Sequence, residues 1–363
     1  MFRLKIFLVN WMLLSAVFAA PIFAENNLSD LSWGVRAIGL GGAYAGISDE
    51  SSAVYWNPAG LTQIFQKELS GSYSAFEGEN QEYIFSFVQP TIKLGNFGLS
   101  LLSWDLTVTK KIAEKESIVM LGYGKEIFKG FSGGINAKQI KEELAGKSAA
   151  GWGMDLGLLY RFGESWKSKV MENLRFGLSL KNVVAPKLDL ADKFDRFPFG
   201  CQAGLSYGVG GRLPNDQLIL SIDWQKNSGD STKLYYGLEY PLSNFLKLRL
   251  GFNEEEINTG IGLEGGSLSL GYSLATRSRR QDLILSHHFG LTVRFGQEIF
   301  SSRQAKEKKF IEYYLKGIKY VYEKKYGRAV LEFNKILKID PTYTSALRAL
   351  NQANQELKKQ SAK

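Results

Sequence analysis

The sequence contains few of the residues that build catalytic or metal centres. Its 363 residues include one cysteine, Cys201, and two histidines, His287 and His288. A single cysteine excludes an intramolecular disulfide. Neighbouring residues of a strand face opposite sides, so the two histidines are badly placed to chelate one metal ion, and no carboxylate pair at a suitable spacing joins them. We therefore expect no enzyme activity and neither a metal nor a cofactor.

Long hydrophobic runs are scarce as well. A basic start precedes an apolar run over residues 6–20, which ends in the small-residue exit Ile22-Phe23-Ala24. This run is shorter than the roughly 20 residues that a spanning helix needs, and its pattern is that of a secretory signal peptide over residues 1–24. No later run approaches spanning length, so a membrane location would require strands closed into a barrel.

A global charge excess is absent from most of the chain. Residues 25–302 carry 28 basic and 30 acidic residues, whereas residues 303–363 carry 15 basic and six acidic ones. The sequence pI of about 9.3 therefore reflects the tail alone. Because the basic residues do not extend over the whole protein, the charge does not indicate nucleic-acid binding.

What the sequence has in abundance is alternation of period two, which is typical of strands. In residues 151–162, for example, Trp152, Met154 and Leu156 alternate with Gly153 and Asp155. A soluble sandwich would bury the apolar face against a second sheet, but here the other face is charged or glycine and an export signal precedes the strands. We predict an all-β transmembrane barrel over residues 69–302, with apolar side chains facing lipid and polar ones facing the lumen. The segments bounded by turn residues number about fourteen, an even number as single-chain barrels require: 69–77, 82–92, 96–105, 116–127, 131–142, 151–162, 173–182, 198–207, 216–225, 232–241, 245–253, 257–264, 267–275 and 286–296.

An even strand number places both ends of the barrel on one side of the membrane, which we take to be the periplasm. Tight turns at Gly95-Asn96, Lys129-Gly130 and Gly265-Gly266 agree with that side, because periplasmic turns are short. The candidate outer loops are short too, at 106–115, 143–150, 183–197 and 275–285. Pro90 falls inside a predicted strand, where proline cannot donate to the ladder, so we expect either a strand kink with a lateral gate or a bulge near a turn.

Residues 25–68 carry a glycine-rich segment that ends in Trp56-Asn57-Pro58-Ala59-Gly60-Leu61. It resembles the N-terminal hatch of the FadL/PorV group of outer-membrane barrels, in particular PorV and PorQ of type IX secretion. In FadL-type fatty-acid transporters this segment folds inside a barrel of fourteen strands and contains an Asn-Pro-Ala motif. The resemblance implies an N-terminal plug here, either with a role in ligand passage or as a purely structural plug. The residues that carry it are Gly39, Gly41, Gly42, Asp49, Asn57, Pro58 and Ala59.

From residue 303 the period changes to that of helices. Phe310 to Tyr343 fits one TPR-like unit of 34 residues, and residues 344–359 supply a third helix. One repeat is normally too small to be stable alone, so we expect the tail to pack on the barrel rim, to pair with another protein or to dimerise. Six positions match the repeat signature: Tyr313, Gly317, Tyr320, Ala329, Phe333 and Pro341.

Two functions remain open. The first is a FadL-like transporter in the bacterial outer membrane, which binds or passes a hydrophobic ligand through a plugged lumen. The second is a PorV/PorQ-like component of protein secretion, in which the periplasmic tail docks a periplasmic or secretion-system protein. The short outer loops favour the second function, because FadL transporters use long loops to capture ligand. Outer-membrane lipid is a partner in both cases, and nucleic acid in neither.

Overall fold

The chain forms two compact units that divide between Glu298 and Ile299. The signal peptide predicted at residues 1–24 lies outside the residues that the structure describes. A computed structural model describes residues 33–76, 80–109, 112–144, 146–165, 168, 171–190, 193–210, 217–279, 282–299, 302–339 and 343–361.

The first unit is a closed barrel of fourteen antiparallel strands. Each strand pairs with its neighbour in sequence, β7 pairs with β10, and β1 closes the barrel on β16, while β8 and β9 form a separate hairpin. The prediction of an antiparallel barrel with fourteen strands is confirmed. The strands are β1 Lys67–Ala75, β2 Gln81–Gln89, β3 Asn96–Thr109, β4 Ile112–Phe128, β5 Phe131–Leu144, β6 Lys147–Arg161, β7 Leu174–Val184, β8 Lys187–Leu190, β9 Lys193–Arg196, β10 Gly200–Val209, β11 Leu218–Asn227, β12 Thr232–Pro241, β13 Leu246–Phe252, β14 Glu256–Gly265, β15 Leu268–Arg279 and β16 Asp282–Phe295.

The two faces of the strands differ as the alternation predicts. On β6 the residues Trp152, Met154 and Leu156 are exposed on the outside, whereas Gly153 and Asp155 are buried on the inside. A soluble sandwich is excluded, because the sheet closes on itself and its outer face is the apolar one. Aromatic rings pair across neighbouring strands near both ends of the barrel, as in Phe128–Phe131 and Tyr236–Phe252, and Phe87 of β2 meets Phe295 of β16 across β1.

Both ends of the barrel chain lie at one rim, because Lys67 of β1 pairs with Phe295 of β16. We call this rim the terminal end and the opposite rim the loop end. Three tight turns at the terminal end use glycines in the left-handed region, Gly95, Gly130 and Gly266, with φ of 101°, 80° and 57°. Such backbone angles favour glycine because other residues meet a steric penalty there.

Three of the predicted outer loops are mostly strand. β3 and β4 continue to Thr109 and from Ile112, and the hairpins β5–β6 and β15–β16 are similarly extended, which corrects the loops at 106–115, 143–150 and 275–285. Polar cross-strand pairs continue the ladder beyond the apolar band, as in Asp105–Lys115 at 3.5 Å. The fourth predicted loop, 183–197, contains the β8–β9 hairpin.

Pro90 corrects another prediction. Strand β2 ends at Gln89, so Pro90 follows the strand and interrupts no ladder. Proline has no N–H group to donate. At the end of a strand this lack leaves no carbonyl of the neighbouring strand unpaired. The strand kink predicted at Pro90 is therefore wrong.

Short helices precede the barrel and longer ones follow it. Before β1 lie α1 Val35–Gly39, α2 Ala53–Trp56 and a 3₁₀ helix Pro58–Gln63, and α3 Phe162–Ser165 follows β6. The second unit contains α4 Ser302–Tyr322, α5 Tyr326–Ile339 and α6 Thr344–Ser361. Among the described residues, no helix combines the length and the apolar character needed to cross a bilayer. The core of the second unit is formed by Phe310, Ala329, Phe333, Ile336, Ala346 and Ala353.

Candidate functional site in the barrel interior

Residues 33–64, here called the luminal segment, follow the inner faces of the barrel strands. Helix α1 contacts β13 to β16, and the 3₁₀ helix contacts β3 to β6. Between them, the backbone at Ala45 approaches β7 and that at Gly46 approaches β10. The segment therefore touches opposite walls of the same barrel.

Glycines on the inner face of the barrel make room for this segment. A Cβ added to Gly177 of β7 would lie 1.9 Å from the carbonyl oxygen of Ala45, and one added to Gly251 of β13 would lie 2.0 Å from the amide nitrogen of Gly41. Gly134 of β5 would bring a Cβ within 2.3 Å of the backbone at Pro58 and Ala59 in the same way. No side chain fits at these distances, so the barrel and the segment are shaped for each other.

The glycines of the predicted hatch motif are buried against the wall. Gly39 ends α1, where a Cβ would lie 2.8 Å from Ser273 Oγ. Gly41 and Gly42 have φ of 66° and 86°, which turn the chain away from the helix. A Cβ on Gly41 would also lie 2.6 Å from the amide nitrogen of Phe252. Both the backbone angle and the close approach therefore require glycine at position 41.

Asn57, Pro58 and Ala59 form a compact anchoring turn. The Asn57 side-chain nitrogen donates to the carbonyl of Ala45 at 3.0 Å and to that of Leu158 on β6 at 2.9 Å. Its side-chain oxygen accepts from the amide of Ala59 at 3.1 Å and caps the 3₁₀ helix, whose first residue is Pro58. One buried amide thus joins two parts of the segment to the barrel wall.

Asp49 belongs to a buried cluster of charges. Arg36 donates to Asp49 Oδ1 at 2.5 Å and, through Nε and Nη2, to both carboxylate oxygens of Glu239 on β12 at 2.7 and 2.9 Å. Arg249 also donates to Glu239, at 2.7 Å, and Arg175 to Asp49, at 3.4 Å. Burial alone would raise the pKa of the Asp49 carboxyl, but the guanidiniums of Arg36 and Arg175 hold that pKa below its ordinary value. The cluster fixes two points of the segment to the wall.

A second anchor was not among the predicted residues. Asp223 of β11 accepts from the amides of Tyr44 and Ala45 at 3.0 and 2.8 Å, and from the side chain of Gln202 at 2.8 Å. Asp223 and Tyr44 stand 179 residues apart in sequence. The only signal in the sequence that could have indicated Asp223 is a carboxylate among small residues at an inward-facing position of a strand.

One side of the lumen is apolar, in contrast to the polar interior usual in membrane barrels. Here the inner faces of β2 to β5 meet the luminal segment in what we call the apolar luminal cluster. Trp33 stacks on Tyr55 at its edge, with ring centroids 4.8 Å apart, and the Lys181 ammonium lies 3.5 Å from the centre of the Tyr55 ring. The buried members are Trp33, Ala53, Val54, Leu61, Ile64, Ile84, Val88, Leu102, Ile118, Met120, Ile140 and Leu188.

The adjoining part of the lumen is polar. A cavity of about 80 Å³ lies beside α1, with residues of β1, β2 and β13 to β16 in its lining, and hydroxyl and guanidinium groups line much of it. Arg294 in this lining pairs with Glu68 at 3.0 Å. Other polar lining residues are Ser70, Ser72, Ser86, Arg249 and Thr292.

The two histidines occupy different environments. His288 is buried, with Ser74 Oγ 2.8 Å from Nδ1 and Ser286 Oγ 2.9 Å from Nε2. His287 lies on the outer face, 2.9 Å from the hydroxyl of Tyr272. Within the part of the chain that the structure describes, no three histidine, cysteine or carboxylate side chains are grouped as metal ligands.

In the tail, the described signature positions cluster around one ring. Phe333 and Ala329 are fully buried on α5. A Cβ added to Gly317 of α4 would lie 2.4 Å from the Phe333 ring, so the absence of a side chain lets the two helices approach. Tyr313 and Tyr320 pack partly buried around this core. Pro341 lies outside the described residues.

Solved barrels of the FadL type share this fold. The toluene transporter TodX of P. putida aligns with a TM-score of 0.55 at 11% identity, over 74% of this chain and 99% of its own. The monoaromatic hydrocarbon channel CymD aligns with a TM-score of 0.56 at 13% identity, over 73% and 98%. A FadL homologue of Pseudomonas aeruginosa aligns with a TM-score of 0.51 at 12% identity, over 76% and 99%.

No protein-family model and no curated protein matches the chain. The structural likeness covers the barrel, and it bears neither on the resemblance to PorV and PorQ nor on the helical tail. At 11 to 13% identity, the chain shares a barrel fold with FadL-type channels.

Proposed function

We propose that this chain is an outer-membrane barrel that binds hydrophobic small molecules and passes them through its lumen, with the luminal segment as hatch. The single observation that carries the proposal is the apolar luminal cluster. A barrel that served only water-soluble solutes would keep a polar lining. Here Met120, Ile118 and Leu102 point inward on neighbouring strands and meet Val54 and Leu61 of the segment.

The outer surface supports a membrane location. Its apolar side chains form a band with aromatic rings near both rims, as expected of strands that face lipid. We assign the terminal end, where the turns at Gly130 and Gly266 lie, to the periplasm, and the loop end then faces outward. The tail, which follows the last strand, would accordingly lie in the periplasm.

The hatch role is supported by how firmly the segment is held. Asn57 bonds it to β6, and Asp223 and Glu239 bond it to the neighbouring strands β11 and β12. We infer that the segment restricts the lumen permanently and that ligand moves past its apolar side. A plug without any ligand role would leave flux unchanged when the apolar side is altered.

Flux through proteoliposomes tests the proposal. Toluene and dodecanoate serve as probes, since one is a neutral hydrocarbon and the other an amphipathic acid. Met120→Asn, which places an amide in the apolar luminal cluster, should reduce flux of at least one probe. The matched control is Ile219→Asn, because Ile219 is also apolar and inward but packs on the opposite side of the segment, against Leu40 and Tyr44.

Two results would overturn the proposal. One is flux no greater than that of protein-free liposomes for both probes. The other is an equal effect of the two substitutions, with both variants shown to insert by their shift on unheated gels. Equal effects would mean that the cluster serves only to pack the segment.

The tail is proposed to be a single repeat of the TPR type. Its support is the joint placement of Gly317, Ala329 and Phe333 at one helix contact. Such a unit docks other proteins in many repeat arrays, which is also what the secretion alternative would require.

A further inference from the structure

The tail carries a groove on α5 that the transport function does not use. Its volume is about 630 Å³, within the range of about 300–1,000 Å³ typical of ligand sites. Leu331 and Leu337 contribute apolar side chains, and Leu331 is 62% exposed although it is a large aliphatic residue. The remaining lining residues are Tyr320, Arg328, Glu332, Asn334, Lys335 and Lys338.

The rim of the groove is basic. Arg328, Lys335 and Lys338 stand against one carboxylate, that of Glu332, which Lys335 contacts at 2.6 Å. The guanidinium of Arg328 lies 6.0 Å from the centre of the Tyr320 ring, which holds its charge at the groove. The surroundings reinforce this sign, because residues 303–363 carry 15 basic and six acidic side chains.

Charge and shape together select the occupant. A second copy of the tail would bring two basic surfaces together, which is unfavourable. A planar lipid surface would meet the basic rim but would not fill a concave groove with an apolar side chain in it. An acidic amphipathic peptide satisfies both features, since its carboxylates pair with the rim and an apolar anchor covers Leu331.

We propose that the groove lined by Arg328, Leu331 and Lys338 binds an acidic amphipathic segment of a partner protein. This site goes beyond the transport proposal and does not depend on it, because no residue of the barrel takes part. Binding would place the apolar side chains of the peptide on Leu331 and Leu337. The rim would set orientation and on-rate.

Fluorescence anisotropy with the full-length protein in detergent tests the site. The probe is a labelled twelve-residue peptide with four leucines on one face of its helix and glutamates on the other face. A second peptide has the same charge but alanine in place of leucine. The site predicts that the leucine peptide binds and that the alanine peptide binds at least about tenfold more weakly, as expected for loss of a buried anchor.

Variants separate the groove from general attraction to a basic tail. Arg328→Glu and Leu331→Ser should each weaken binding at least about tenfold. Lys319→Glu makes the same charge change as Arg328→Glu on an exposed residue outside the groove, and it should change affinity less than about threefold. Circular dichroism establishes that each variant keeps its helices; all three residues lie outside the buried core.

Equal weakening by Lys319→Glu and Arg328→Glu would overturn the site in favour of non-specific attraction. So would equal binding of the leucine and alanine peptides. Vesicles with anionic lipid provide the third arm. One outcome would identify the surface as a lipid contact and show that the peptide proposal is wrong. In that outcome the vesicles bind the wild-type protein, Leu331→Ser and Arg328→Glu each abolish vesicle binding, and the leucine peptide does not bind.

Discussion

Replacing Arg36 by alanine should release the first turn of the luminal segment from the barrel wall. The Arg36 side chain is 13% exposed and Glu239, which it contacts through two nitrogens, is 1% exposed. Asp49 is the other partner of Arg36. The substitution would remove a charged donor from the carboxylates of Asp49 and Glu239, to which water has little access.

The magnitude follows from these contacts. Removing one partner of a buried ion pair costs about 3–5 kcal/mol, because the remaining charge stays buried. Arg249 still donates to Glu239 at 2.7 Å, and Arg175 still lies 3.4 Å from Asp49, so neither carboxylate is left alone. We therefore expect a loss near the lower limit, about 3 kcal/mol. That corresponds to roughly a hundredfold increase in the open population of the segment.

Hydrogen exchange measured by mass spectrometry on residues 33–64 gives this population directly. Peptides from the barrel strands provide an internal reference, since their ladder bonds do not involve Arg36. The matched control is Arg175→Ala, because its side chain is 30% exposed and its pair with Asp49 should contribute about 1 kcal/mol or less. Exchange in Arg36→Ala within about threefold of the wild-type rate would refute the reasoning, as would equal rates in the two variants.

Three further changes test other parts of the structure. Gly177→Ala would place its Cβ 1.9 Å from the Ala45 carbonyl and should cost about 1–3 kcal/mol in urea unfolding, whereas Gly71→Ala, whose Cβ meets nothing nearer than 4.0 Å, should stay within about 0.5 kcal/mol. Because the pKa of Asp49 is lowered in the folded protein, its carboxylate stabilises the fold above the ordinary value of 3.8 and loses this effect as the pH falls through the folded pKa. The stability difference between wild type and Asp49→Asn should hence be constant at neutral pH and shrink only below about pH 4; a difference that shrinks already near pH 6 would contradict it. Phe333→Ala removes a fully buried ring and should cost about 3–5 kcal/mol, enough to make the tail protease-sensitive while the barrel persists, and Leu331→Ala, at an exposed site, should not.

The barrel could be predicted because its signal repeats in nearly every strand. Period-two alternation depends only on the pleat, so it survives without knowledge of any partner strand. The ends of the strands could not be predicted from the same signal. Beyond the apolar band, the β3–β4 hairpin continues on polar pairs such as Asp105 with Lys115, which resemble loop composition in the sequence.

The luminal segment was predictable in its own residues but not in its partners. Asn57 and Pro58 form a local motif, since the Asn57 side chain caps the helix that Pro58 begins. Glu239 lies 203 residues from Arg36, and nothing in the alternation of β12 distinguishes a carboxylate that binds the segment from one that faces water. Contacts of this kind depend on strand register and barrel closure, which the sequence does not display.

The two sides of the lumen hold the segment by different forces, and this difference bears on where a ligand could move. On the side of β12, the directional ion pair of Arg36 with Glu239 fixes the segment, and a displaced Arg36 guanidinium would lose this partner. On the side of β3 and β4, Val54 and Leu61 lie against Gly98 and Gly122 through apolar contacts, and Asn96 of β3 donates to the carbonyls of Leu61 and Ile64 at 2.6 and 2.8 Å. Apolar contacts are non-directional, so a hydrophobic guest can replace them with contacts of similar strength. Under the proposed function, a hydrophobic molecule would therefore replace apolar contacts along β3 and β4 more readily than ion pairs along the charged wall, and the segment would remain anchored by its polar bonds.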